Sequence, residues 1–186
     1  MTPVDKYTKI AVLLHWLIAL LITFNIILGL GSNYVPDNDV RPMIDLHKSF
    51  GITILALAFA RFFWRFTHTP PSLPANYPVW ERQLAHTAHV ALYILIFALP
   101  ISGWIHDSAW DAAASHPMML FWVIPWFRLG FITGLDPATK AMVHGLFGQI
   151  HVYLGYALYA VLALHILGAL KHQFFDKHQE LQRMWR

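Results

Sequence analysis

From position 146 to 170 the chain carries no Lys, Arg, Asp or Glu, and the stretches 10–30, 50–66 and 90–105 are nearly as apolar. A helix needs about 20 such residues to cross the hydrocarbon core of a bilayer. Four spans therefore fit, at approximately 9–30, 45–66, 83–106 and 143–172, and the expected fold class is all-α, an integral membrane four-helix bundle in one domain, 1–186. The composition agrees: 57% of residues are hydrophobic and 12% charged, against about a quarter charged in soluble domains. A secretory signal peptide is the rival reading of the first run, since Lys6 and Lys9 precede it. Its apolar core is too long for that, and no small-residue cleavage pattern follows.

The breakers fall between the runs. Gly29, Gly31, Ser32 and Asn33 end the first helix before an acidic loop with Pro36, Asp37, Asp39 and Pro42, and the second helix is expected from near Ile44. Thr69, Pro70, Pro71, Pro74 and Pro78 end it. The third should start near Trp80 to Leu84, with Pro100 and Gly103 bending its last turns, and the fourth near Ala141 to Gly145. The segment 116–135 is rich in Trp and Phe but holds Pro125 and Arg128. It reads as an aromatic helix or loop at the membrane interface, not a fifth span.

Charge sets the orientation. With the N-terminus inside, Lys6, Lys9, Arg61, Arg65, Arg82, Lys171, Lys177, Arg183 and Arg186 are cytoplasmic, against Arg41, Lys48, Arg128 and Lys140 outside. This satisfies the positive-inside rule, so a multi-pass membrane chain with both termini cytoplasmic is expected. Lipid is then the surrounding partner, and nothing points to nucleic acid.

Twelve histidines and no cysteine complete the pattern. The lack of thiols excludes iron–sulfur clusters held by Cys, c-type haem attachment, blue copper and catalytic thiols, leaving imidazole as the available ligand. His151 and His165 are 14 residues apart, about four turns and roughly 21 Å along one helix face. His15, early in the first helix, matches the depth of His165, and His47, early in the second, matches that of His151. Two bis-imidazole sites stacked across the membrane follow, His15 with His165 and His47 with His151. Each suits a low-spin haem, with Gly51 and Gly155 leaving room one turn from a ligand. Zinc fits less well, because it wants four close ligands.

The remaining histidines carry weaker assignments. His144 and His172 lie near the membrane edges and make poorer ligands. His86 and His89 suit structural or proton-handling roles. Arg61 and Arg65 suit either lipid headgroups or a salt bridge to a haem propionate.

The segments LLHWLIAL around His15, HKSFGITILALAFARFFWRF from His47, TPPSLP after it, AHTAHVALYILIFALPISGW, and HVYLGYALYAVLALH ending at His165 resemble the bacterial cytochrome b561 family, which includes membrane-bound superoxide oxidase. The resemblance implies a four-helix bundle with two haem b groups held between helices, ligated by His15, His47, His151 and His165, and ubiquinone as the membrane-side partner. In the superoxide oxidase branch it implies superoxide at the periplasmic face. The outer segments hold four basic residues against Asp37, Asp39, Asp45, Asp107, Asp111 and Asp136, so steering of an anion would fall to a local patch of Arg41 and Lys48.

The expected function is electron transfer from a periplasmic one-electron donor, superoxide or a redox protein, to ubiquinone. His172 and Lys171 are the candidates for proton delivery to the quinone. The alternative is a haem-bearing anchor subunit linking a separate dehydrogenase to the quinone pool. A haem-free transporter would leave the depth-matched histidines unexplained.

Overall fold

The computed structural model describes residues 6–72, 77–177 and 180–185. Pro74 of the breaker cluster and Arg186 of the basic count lie outside them.

Among the described residues, four helices are long and apolar enough to cross a membrane. The first, α1 (Lys9–Gly31), begins where Thr8 Oγ1 accepts a hydrogen bond from the Ala11 amide at 3.3 Å, satisfying one of the unpaired donors of a helix start. The second, α2 (Asp37–Thr67), starts seven residues before the expected Ile44, with Asp37 and Asp39 in its first turn complementing the positive end of the helix dipole. Pro42 is tolerated there because the amide it lacks would reach only Asn38, on the solvent-exposed first turn. The third, α3 (Val79–Ser108), follows Pro78.

After α3 the chain does not form an interfacial helix. A 3-10 turn (Asp111–Ala114) leads to a two-stranded hairpin, β1 (Met119–Leu120) and β2 (Ile124–Pro125), and a single turn α4 (Gly130–Thr133). The last span, α5 (Pro137–Leu170), is capped by Asp136, whose side chain accepts from the Ala138 and Thr139 amides at 3.1 and 3.0 Å, and Pro137 opens its first turn. It too starts earlier than the expected 141–145. A π-helical turn (Lys171–Phe175) and the short α6 (Glu180–Arg183) follow.

Packing is most extensive between α3 and α5 and between α1 and α2, with α2 against α3 joining the pairs. The helices α1 and α5 bury few residues in protein, and α2 buries the most. A core cluster of Ile52, Met118 and Leu120, flanked by Trp104, Phe121 and Trp126, seats the hairpin on α2 and α3. At the opposite end the chain's two ends meet: the Tyr7 amide donates to the Arg183 carbonyl at 3.2 Å and Trp16 Nε1 to the Met184 carbonyl at 2.7 Å.

Candidate functional site

A cavity of about 650 Å³ opens among α1, α2, α3 and α5 in the half of the bundle remote from Tyr7 and Arg183, labelled outer to match the expected orientation, the other half being labelled inner. His47 and His151 line it together with Gly29, Gly51, Gly103 and Gly155. Its size is that of a cofactor pocket, about 300–1,000 Å³. The two imidazole centroids stand 6.0 Å apart with planes at 82°. His15 and His165 form a second couple nearer the termini, 6.2 Å apart with planes at 72°. An atom coordinated between two imidazoles, at about 2.0 Å from each nitrogen, requires ring centres separated by about 6 Å.

The outer rings are held for such a role. His47 Nδ1 donates to the Asn25 carbonyl at 3.0 Å, and His151 Nδ1 to the Leu99 carbonyl at 3.1 Å with Ser102 Oγ at 3.0 Å. Fixing the proton on Nδ1 leaves Nε2 as the ligand nitrogen, the usual outer-shell arrangement of a metal-binding histidine. Each ring also rests on a glycine of the facing helix: a Cβ at Gly29 would stand 3.0 Å from His47, and one at Gly103 3.1 Å from His151. Asn25 Oδ1, which lines the cavity region through its residue, is buried with no hydrogen-bond partner among the described residues. Donor set, spacing and room fit haem.

Around the inner couple, His89 approaches His165 with centroids 5.3 Å apart, less than the about 6 Å of two rings on opposite sides of one atom. Arg61 donates from Nη1 to the Ala11 carbonyl at 2.7 Å, and its charge bears on both His15 and His165. Arg65 lies over the Tyr93 ring at 5.6 Å. His86 faces a shallow groove beside Arg82 and Gln83.

Of the residues expected at the outer entrance, Arg41 and Lys48 both line the cavity, but neither stands as an isolated cation. Arg41 Nε pairs with Asp45 at 3.2 Å and the guanidinium covers Trp110 at 4.6 Å. Lys48 Nζ bridges Asp45 at 2.7 Å and Asp107 at 3.2 Å, and Arg128 holds the other Asp107 oxygen at 2.8 Å. Three cations share two carboxylates, so the patch keeps a net single positive charge.

On the terminal face, Lys171 Nζ bridges Glu81 and Asp176 at 2.8 Å each. His172 Nδ1 lies 2.7 Å from Asp176, its Nε2 lies 3.9 Å from Glu81, and its ring stacks on Tyr77 at 4.5 Å. The Lys171 hydrogen bond holds the Asp176 carboxyl below its usual range, whereas burial and the 2.6 Å bond to Glu180 push the Tyr77 phenol up. The arrangement can pass a proton between the imidazole and the Asp176 carboxylate, with Glu81 close by as a second charge.

Sequence reasoning missed Gly29, Gly103, the Asn25 and Leu99 carbonyls and His106. His106 and His144 line the outer cavity as a stacked pair, centroids 3.9 Å apart.

The family model for prokaryotic cytochrome b561 matches residues 6–186. Among curated proteins, cytochrome b561 homolog 2 of Escherichia coli K12 is 32% identical, over 98% of this chain and 92% of the relative. Cytochrome b561 homolog 1 of the same organism is 24% identical over 97% of each. A probable superoxide oxidase CybB of Yersinia pestis is 29% identical over 96% of this chain and 95% of the relative. The four-span bundle is thus that of a haem b-binding, electron-transferring membrane protein, and the chain belongs to the prokaryotic cytochrome b561 family.

Proposed function

We propose that the chain is a di-haem b cytochrome that carries electrons from a periplasmic one-electron donor, with superoxide the foremost candidate, to ubiquinone. The observation that carries the reading is the pair of imidazole couples at two depths, each spaced at 6.0 or 6.2 Å. When bound, a haem with two imidazole ligands supplies outer-sphere one-electron transfer, having no open coordination position.

His47 and His151 hold the outer group, and His15 and His165 the inner one. The Asn25 and Leu99 carbonyls fix the tautomer of the outer ligands. Arg61, and Arg65 one turn on, put positive charge beside the inner site, where a propionate is the natural counter-ion. The outer patch of Arg41, Lys48 and Arg128 keeps one uncompensated charge, enough to favour an anionic donor locally without a long-range field. Superoxide gives up one electron there and leaves as dioxygen. Ubiquinone becomes ubiquinol by taking two electrons and two protons, and His172, linked to Asp176 and Glu81 and flanked by Lys171, delivers protons from the cytoplasmic face. The basic excess on the terminal face supports an inner-membrane orientation with both ends cytoplasmic.

A reduced-minus-oxidised spectrum with a haem-to-protein ratio tests the assignment. The purified chain should carry two haems, and His47→Ala or His151→Ala should leave one. Superoxide should reduce the oxidised protein, and added quinone should reoxidise it. A colourless chain, or loss of both haems from a folded outer-site variant, would sink the pairing. Reduction only by a co-purifying dehydrogenase would favour the anchor-subunit reading.

A further inference from the structure

Three histidines in the outer half of the bundle are seated in one way. His47 rests on Gly29 with Nδ1 on the carbonyl of Asn25, four residues before that glycine. His151 rests on Gly103 with Nδ1 on the carbonyl of Leu99, again four residues before it. His106 repeats the seat on α5: a Cβ at Gly148 would stand 3.0 Å from its ring, and its Nδ1 lies 2.8 Å from the carbonyl of His144, four residues before Gly148. The proposed function uses the first two seats and leaves the third unassigned.

His144 returns the bond, its Nδ1 lying 3.0 Å from the His106 carbonyl, so each ring ties its helix to the other's backbone. The rings stack with centroids 3.9 Å apart and planes within 19°. That gap is too narrow for an atom coordinated between the rings, unlike the 6.0 Å of His47 and His151. The pair is therefore a different device lining the same cavity.

We propose that the His106–His144 stack is a proton-binding site coupled to the outer haem, taking up one proton when that haem is reduced and releasing it on reoxidation. The inference rests on the di-haem reading. The electron comes from the outer donor and the proton from the aqueous outer face. With both Nδ1 hydrogens committed to carbonyls, the added proton goes to an Nε2. Two imidazolium rings face to face at this distance would repel strongly, so the stack holds one charge at a time. A negative charge added to a centre in the same poorly screened cavity favours that proton, and imidazole is the side chain that changes charge near neutral pH.

The other groups facing the pair have little freedom to respond. On α2, Arg41 and Lys48 are ion-paired with Asp45, and on α3 Asp107 is held by Lys48 and by Arg128. Asp111, in the 3-10 turn packed on α5, bonds its neighbour's amide at 2.7 Å. His47 and His151 are committed to iron in the proposed function, Tyr156 and Tyr159 complete the α5 side, and α1 lines the cavity with no titratable group.

Spectroelectrochemical titration of the purified two-haem protein from about pH 5 to 8 tests this, the outer haem being assigned by comparison with His151→Ala. The outer midpoint should fall as pH rises. At full coupling the reduction equilibrium shifts tenfold per pH unit, about 59 mV for a one-electron couple. The double variant His106→Gln/His144→Gln should flatten that slope while keeping both haems and the inner haem's response. A pH-independent outer midpoint in the unmodified protein, or an undiminished slope in the double variant, overturns the proposal. Absence of two haems would instead fail the di-haem reading. Should the variant not fold, redox difference infrared spectra of ¹⁵N-histidine-labelled protein serve: imidazole protonation bands on outer-haem reduction are expected, and their absence overturns the coupling.

Discussion

An alanine at position 29 or 103 would set its methyl 3.0 or 3.1 Å from a carbon of the His47 or His151 ring. Neither ring can retreat cheaply, because its Nδ1 is tied to a carbonyl of the same facing helix. Overpacking of this kind costs about 1–3 kcal/mol, and in the di-haem reading it is directed onto a ligand. Gly29→Ala and Gly103→Ala should therefore lose outer-haem absorbance while the inner haem stays, read as haem per protein; full outer occupancy in both would contradict the seat. Gly51 and Gly155 differ, since a Cβ there meets Asn25 and Tyr159 only at ordinary contact distances of 3.8 and 3.6 Å. Alanine at either would disturb the site only by filling the cavity itself. The difference shows what a sequence can hold at this scale. Gly51 and Gly155 follow their histidines by one turn and are visible along a single helix. Gly29 and Gly103 act on histidines of another helix, and His106, beside Asp107 at a helix end, reads as an ordinary polar terminus until α5 packs against it.

Among the elements, the four spans were legible because their apolar lengths leave few alternatives, whereas the segment after α3 was not. Its hairpin has strands of two residues, and its turn puts Phe121 and Trp122 at φ 51° and 60°, a left-handed backbone that costs a bulky residue roughly 1–2 kcal/mol. No turn signature announces it, since Gly and Asn are absent there. Tertiary contacts hold it instead. The fully buried Ser49 and Ser108 accept from the Phe121 and Leu129 amides at 2.9 and 3.0 Å, each while donating to its own helix. Arg128 turns inward to Asp107 and to the Ala113 and His116 carbonyls. The outward face, Trp122, Val123, Ile124, Phe127 and Phe131, is apolar and exposed, as a surface against lipid should be. Removing either serine hydroxyl strands a buried amide, at about 1–3 kcal/mol. Ser49→Ala should speed hydrogen exchange across the hairpin, and Ser108→Ala across the residues near Leu129, with α1 unaffected; unchanged protection in both would mean the clips are not what hold the segment.

At the scale of the molecule, the bundle is two helix pairs, α1 with α2 and α3 with α5, joined mainly where α2 meets α3. Both imidazole couples cross that division: His15 of α1 faces His165 of α5, and His47 of α2 faces His151 of α5. Lipid tails are as apolar as the side chains, so little hydrophobic force draws the two pairs together, and close packing or specific bonds must do so. The low burial of α1 and α5 means that direct side-chain packing supplies little of this between those two helices. In the di-haem reading, cofactor ligation therefore braces the fold as well as carrying electrons, and a group bound only by the assembled bundle stabilises it by mass action. The braces are unequal. α2 meets α3 in both halves, but the outer half adds the seated hairpin to its ligands, whereas at the inner end α1 faces α5 through His15 and otherwise touches only the tail beyond it, through the bond of Trp16 to Met184. Loss of the inner ligands by His15→Ala/His165→Ala should then loosen α1 from α5 more than His47→Ala/His151→Ala does. Spin labels on the two helices near the terminal face would report a broadened distance distribution and a lower melting temperature for the inner variant. Equal distances and melting temperatures in both variants and in the unmodified protein would show that protein and lipid contacts alone hold the pairs together.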